Sequence, residues 1–160
     1  MSGKLPSAEA PTAGACRCGR VAFEITKPPL ITMACHCSGC QRMTSSAFSL
    51  GAAIPEDGFR VTAGETTIGG MHGAIEHRFC PYCMSWLFSR MPGTGFVNVR
   101  STLLDGEARK APFVETWTSE KLPWARTSAK HSFPRFPPQD AWAPMIREFQ
   151  ASGGVIDSGG

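Results

Sequence analysis

The chain has 160 residues, 42% hydrophobic and 18% charged, the balance of one ordinary globular domain rather than of a disordered segment. Its net charge of +3 is too weak to indicate nucleic acid by itself, although it favours modest attraction for small anions. We find no signal peptide and no transmembrane helix, so the expected compartment is the reducing cytoplasm, where cysteines serve more often as metal ligands or catalysts than in disulfides.

Residues 1–13, with Pro6, Ser7, Pro11 and Thr12, read as a flexible N-terminal arm. Residues 14–25 read as a strand, because Val21, Phe23 and Ile25 alternate with Ala22 and Glu24. Lys27-Pro28-Pro29 ends it. After the cysteines at 35–40, residues 41–46 fit one helical turn and residues 47–54 a buried strand. Pro55 to Gly58 is a turn, and residues 59–62 and 65–68 are expected to pair as a hairpin around Ala63-Gly64. Further strands are expected at 74–79, 86–89, 96–100 and 113–118, with a short helical turn at 101–105. Near the end, Trp142, Met145, Ile146 and Phe149 fall on one helical face, with Asp140 as N-cap and Pro144 tolerated near the start. Short strands separated by Gly and Pro predict a mainly β domain over 14–150 with a C-terminal helix, followed by a Gly-rich tail at 151–160.

Seven cysteines fall in three tight clusters, an odd count that argues against a complete disulfide framework. Cys35, Cys37 and Cys40 place three thiols within six residues. If the first two are extended, their side chains share one side, and a Ser38-Gly39 turn brings Cys40 back to them. This reads as a metal site with one position left for water or substrate. Cys16 and Cys18, a C-x-C, together with Cys80 and Cys83, a C-x-x-C, make a closed four-cysteine set of the structural kind. A rival pairing lends Cys18 to the three, and a redox C-x-x-C is a rival for Cys80 and Cys83. His36 is expected to support the site from behind rather than to carry protons, and His72, His77 and His131 are not expected to be ligands. Arg42, Arg78, Lys130 and Arg135 are candidates to face an anionic substrate, and Trp117, Trp124 and the run from Phe133 to Pro138 could line a groove. The glycines at 69–70 lack the lysine–threonine pattern of a phosphate loop.

Three segments, Gly14-Ala15-Cys16-Arg17-Cys18-Gly19, Cys35-His36-Cys37-Ser38-Gly39-Cys40-Gln41-Arg42 and Phe79-Cys80-Pro81-Tyr82-Cys83, stand in this order, with Phe133-Pro134-Arg135-Phe136-Pro137 closing. Together they resemble the glutathione-dependent formaldehyde-activating enzyme family, which also includes the domain of centromere protein V. The resemblance implies a β-tent of several coiled antiparallel sheets. It implies a structural zinc on Cys16, Cys18, Cys80 and Cys83 and a catalytic zinc on Cys35, Cys37 and Cys40. It also implies a carbon–sulfur lyase activity that joins glutathione and formaldehyde into S-hydroxymethylglutathione. One position departs from the family's usual pattern: Met84 follows the C-x-x-C where Gly is usual, at a turn that often needs a positive φ.

Two functions therefore compete. One is a zinc enzyme acting on glutathione and a small aldehyde. The other is a zinc-stabilised module that binds protein or nucleic acid without catalysis, which calls for a basic aromatic surface and a closed metal site. The weak charge and the missing fourth ligand favour the enzyme.

Overall fold

A computed structural model describes residues 5–71, 73–106 and 111–154. His72, residues 1–4 of the expected arm and residues 155–160 of the expected tail lie outside them. The chain forms two compact units, Met1–Pro29 with Ala52–Arg109, and Leu30–Gly51 with Lys110–Gly160.

In the first unit, the single strand expected over 14–25 is two strands. β1 (Thr12–Ala15) and β2 (Ala22–Ile25) pair antiparallel, with Gly14 opposite Phe23. The chain reverses between them because Gly19 takes a φ of 77° and donates its N–H to the Cys16 carbonyl at 3.0 Å. Gly14 is required by packing: a Cβ there would lie 2.5 Å from the Phe23 ring.

The expected hairpin at 59–68 does not form. β5 (Phe59–Ala63) pairs with β2, whereas β6 (Thr67–Gly69) pairs with β7 (Glu76–Phe79). Gly64, with a φ of 75°, sits so close to the Arg20 carbonyl that a Cβ would lie 2.2 Å from its oxygen. The Ala63-Gly64 corner therefore packs on the chain before β2 instead of closing a local turn. β7, β8 (Trp86–Arg90) and β9 (Phe96–Arg100) continue as an antiparallel meander.

The first unit's core is built from the alternating inward residues of β2 and β9 and from β8, whose Leu87, Phe88 and Ser89 are all buried. The Phe59 ring lies 5.6 Å from that of Phe23 and 4.8 Å from that of Phe88. Ile25, Ile54, Leu87, Val97, Val99 and Leu104 are fully buried around them. Each such side chain contributes about 1.5–3 kcal/mol on burial. β4 (Ser49–Pro55) carries the chain from the second unit into the first.

In the second unit the pairing is parallel, so the chain's sheets are mixed rather than antiparallel throughout. β10 (Val114–Thr116) lies between β3 (Ile31–Cys35) and β11 (His131–Ser132), in register Val114 with Met33 and with His131. Parallel neighbours require long connections, and the segments joining these strands supply them. All three β10 residues are buried, Glu115 among them.

The helical turn expected at 41–46 is a longer helix that starts earlier, α1 (Ser38–Thr44). Ser38-Gly39 is thus its first turn and not a reverse turn. The terminal helix α2 (Trp142–Ala151) buries Met145 and Phe149 and leaves Trp142 and Ile146 half-buried on the same face. Phe149 packs on Phe113 with ring centroids 5.3 Å apart. Asp140 is not its N-cap. A 3₁₀ turn over Gln139–Ala141 leads straight into the helix, so Ala141 takes the cap position with no side-chain hydrogen bond. Pro144 falls in the first turn, where its missing N–H has no intrahelical partner to lose.

Among the described residues no helix is long and apolar enough to cross a membrane.

Candidate metal centres

All seven cysteines are free thiols. In the first unit, the Sγ atoms of Cys16, Cys18, Cys80 and Cys83 lie within 4.8 Å of one another. Cys16 Sγ stands 3.4 Å from Cys18 Sγ, and Cys18 Sγ stands 3.8 Å from Cys80 Sγ. Four sulfurs about 2.3 Å from a tetrahedral zinc would be about 3.8 Å apart, so the donor set fits that ion. Cys18 is engaged here, in the opposite unit from Cys35.

Two backbone turns present these sulfurs. The Val21 N–H donates to Cys16 Sγ at 3.3 Å. In the second turn, the Met84 N–H donates to the Cys80 carbonyl and the Cys80 N–H to the Ser85 carbonyl, each at 3.0 Å. Met84 has a φ of 56°, the left-handed conformation that Gly would adopt without cost. The Ser85 hydroxyl, 3.2 Å from Cys83 Sγ, is the main cause that brings the Cys83 pKa down to about 5.

In the second unit, Cys35, Cys37 and Cys40 bring their Sγ atoms within 4.8 Å of one another, and all three are half-buried. Cys35 ends β3. Cys37 is extended (φ −60°, ψ 150°) and serves as the N-cap of α1, its sulfur accepting the Cys40 N–H at 3.3 Å. A strand end, a cap and a first helical turn thus converge the three thiols. The hydrogen bond from the Cys40 thiol holds the Cys35 pKa down at about 5 against burial, helped by the Cys37 backbone and the Thr116 hydroxyl. The same contact pushes Cys40 up. Three soft thiol donors suit zinc, and among the described residues no fourth His, Cys, Asp or Glu joins them at this distance.

His36 lies between two of these cysteines and is fully buried. Its Nε2 is 3.0 Å from Glu115 Oε2, and its ring meets Phe48 edge-on at 5.2 Å. Glu115 accepts from Lys121 Nζ at 2.9 and 3.0 Å, from Thr127 Oγ1 at 2.7 Å and from Ser132 Oγ at 2.7 Å. Burial alone would raise its carboxyl. These donors, with His36, outweigh burial and hold its pKa at about 2. Glu120 adds a second tie, its Oε2 accepting the Ser38 N–H at 2.5 Å and its carbonyl accepting Gln41 Nε2 at 3.0 Å.

Residues 11–120 match the family model described as glutathione-dependent formaldehyde-activating enzyme. The chain belongs to the glutathione-dependent formaldehyde-activating enzyme family. No curated protein matches it. Among solved structures, the crystal structure of a Rhodobacter sphaeroides protein is similar at 25% identity, with a TM-score of 0.49, over 59% of this chain and 88% of that one. Both cysteine clusters of this family member can hold a metal ion.

The remaining candidates separate by their partners. His77 Nδ1 is 2.8 Å from Ser89 Oγ, and His131 Nε2 is 2.7 Å from Glu148, so neither belongs to a cysteine cluster. Arg78 pairs with Glu76 at 2.7 Å, and Lys130 pairs with Glu148. Arg42 and Trp124 line an open cleft of about 500 Å³ beside α1, and none of the seven cysteines lines it. Sequence reasoning missed Glu115 and Glu120. The only signal for Glu115 was an acid in the middle of an apolar strand, which a period-two reading would place on the solvent side.

Proposed function

We propose that the protein is a zinc-dependent carbon–sulfur lyase that adds glutathione to formaldehyde to give S-hydroxymethylglutathione. The observation that carries this reading is a cluster of three thiols that no fourth ligand joins among the described residues, in a chain whose family is glutathione-dependent and formaldehyde-activating. In this reading Cys35, Cys37 and Cys40 hold the catalytic zinc, and Cys16, Cys18, Cys80 and Cys83 hold a structural one. Zinc held by these three thiolates would supply Lewis acidity that favours the ionised form of a substrate thiol.

The chemistry needs no oxidant. The thiol sulfur bonds to the carbonyl carbon, the carbonyl π pair moves to oxygen, and the thiol proton ends on that oxygen. The residues act by holding. Thr116 and the Cys37 backbone support negative charge on Cys35. The Cys40 N–H and the α1 turn fix Cys37. Glu115 and Glu120 tie His36 and Ser38 on either side of Cys37. His36 is too deeply buried to meet a substrate, so the proton exchanges with solvent. The reducing cytoplasm is the compartment that suits seven free thiols.

The test is NMR exchange between free formaldehyde and its glutathione adduct. Zinc-loaded wild type accelerates exchange over the protein-free mixture, and Cys37→Ser does not. Exchange at the blank rate with wild type, for formaldehyde and for other small aldehydes, overturns the reading.

A further inference from the structure

Trp117 has a φ of 57° and a ψ of 39°. A bulky aromatic in the left-handed region is a genuine outlier, and such strain concentrates at ligand sites. Neighbouring bonds enforce it. The Thr118 N–H donates to the Phe133 carbonyl at 3.1 Å and the Ser119 N–H to the Pro134 carbonyl at 3.3 Å, while Ser119 Oγ donates to Pro134 at 2.6 Å.

The strained residue runs alongside the three-cysteine loop. Thr116, just before it, pairs with Cys35 in the sheet, and its carbonyl accepts the His36 N–H at 3.0 Å. Glu120, three residues after it, accepts the Ser38 N–H. Residues 116–120 thus track residues 35–38.

Trp117 also assembles a surface. Its ring meets that of Phe136 edge-on at 5.7 Å, and the Arg135 guanidinium lies 5.2 Å from its centroid. Phe136 is 59% exposed, so it packs no core. Arg135 is exposed, and among the described residues no carboxylate pairs with it, whereas Lys130 and Arg78 are both paired.

We infer that Arg135, Trp117 and Phe136 form the surface that receives the peptide portion of the thiol substrate. This rests on the reading of that thiol as glutathione, whose carboxylates and peptide planes match the surface. The Arg135 fork takes a carboxylate, and the two rings lie against the flat peptide groups. The surface selects an anionic peptide thiol over a small neutral one.

The test is calorimetric binding of S-methylglutathione to the zinc-loaded protein. This probe keeps both carboxylates and has no thiol to offer a metal, so its binding is independent of the reaction. Wild type binds it. Arg135→Ala and Trp117→Gly each weaken binding roughly tenfold or more. Arg60→Ala, at an exposed arginine paired with Glu24, leaves binding unchanged. Trp117→Gly relieves the left-handed backbone and melts no lower than wild type, so its weakened binding is not unfolding. No binding by wild type, or an affinity in either variant unchanged from wild type, overturns the inference. Binding that depends on both residues, with no adduct formed from glutathione and formaldehyde, overturns the reaction and supports the surface.

Discussion

Met84 does at the Cys80 turn what Gly19 does at the Cys16 turn. Each donates its backbone N–H to the carbonyl of the leading cysteine at 3.0 Å, and each has a positive φ, 56° for Met84 and 77° for Gly19. One half of the four-cysteine site uses the residue that adopts this conformation freely. The other half forces a side chain into it, and that side chain is 56% exposed, so packing does not compensate.

Met84→Gly is therefore expected to stabilise the protein. The left-handed cost removed is about 1 kcal/mol, partly offset by the greater freedom of Gly in the unfolded chain. A full 1 kcal/mol corresponds to about 2–4 °C for a chain of this size, so after the offset thermal melting should rise by about 1–2 °C. Adduct formation should be unchanged, because Met84 lies in the other unit from Cys35, Cys37 and Cys40. A lower melting temperature would show that the exposed side chain carries contacts worth more than the strain.

The two clusters should lose metal unequally. Binding at a closed four-thiol site is coupled to folding, whereas a three-thiol site with an open position exchanges more readily. Mild chelation is expected to remove about one equivalent of zinc while the β signal in circular dichroism survives. Cys80→Ser should damage the fold, since Cys80 is fully buried within the first unit's core. Cys40→Ser should spare it. Equal loss of structure in the two variants would refute a division into structural and exchangeable sites.

Local pattern made part of this molecule legible in the sequence. The spacing of Cys16 with Cys18 and of Cys80 with Cys83 marks two turns, and β9 follows from the alternation of Phe96, Val97 and Val99. What pattern missed depends on distant partners. β5 has the composition of a hairpin strand, yet its partner is β2, because Gly64 packs on Arg20. The parallel pairing of β3 with β10 joins residues 81 positions apart, and no local periodicity reports it. The Glu115 network was hidden for the same reason: its donors come from positions 36, 121, 127 and 132, which only the fold brings together.

Gly14 is expected to tolerate no side chain. Its added Cβ would meet Phe23 at 2.5 Å and the Leu103 carbonyl oxygen at 2.9 Å, and neither an interior ring nor a backbone oxygen yields cheaply. Gly14→Ala should cost about 1–3 kcal/mol, measured by denaturant unfolding of the zinc-loaded protein. A neutral result would show that β1 can shift away from Phe23.

Glu115 should make the second unit sensitive to acid. Its pKa is lowered from 4.5 to about 2 in the folded protein, so the folded state favours the ionised form. The stability this contributes is fully present above the unfolded value and is lost as pH falls through 4.5 towards about 2. Glu115→Gln keeps the shape but removes the charge that Lys121 and His36 face, leaving the half-buried Lys121 ammonium without its carboxylate. Breaking a buried pair from one side costs about 3–5 kcal/mol, and partial exposure of Lys121 places this variant at the lower end. The deficit of Glu115→Gln relative to wild type, read from denaturant midpoints, should be largest near neutral pH and shrink below pH 4.5, where the unfolded wild-type chain takes up a proton on Glu115 that the folded protein does not. A deficit that stays constant down to that pH and beyond would mean that the network acts through shape alone, with the charge of Glu115 contributing nothing to the hold on His36.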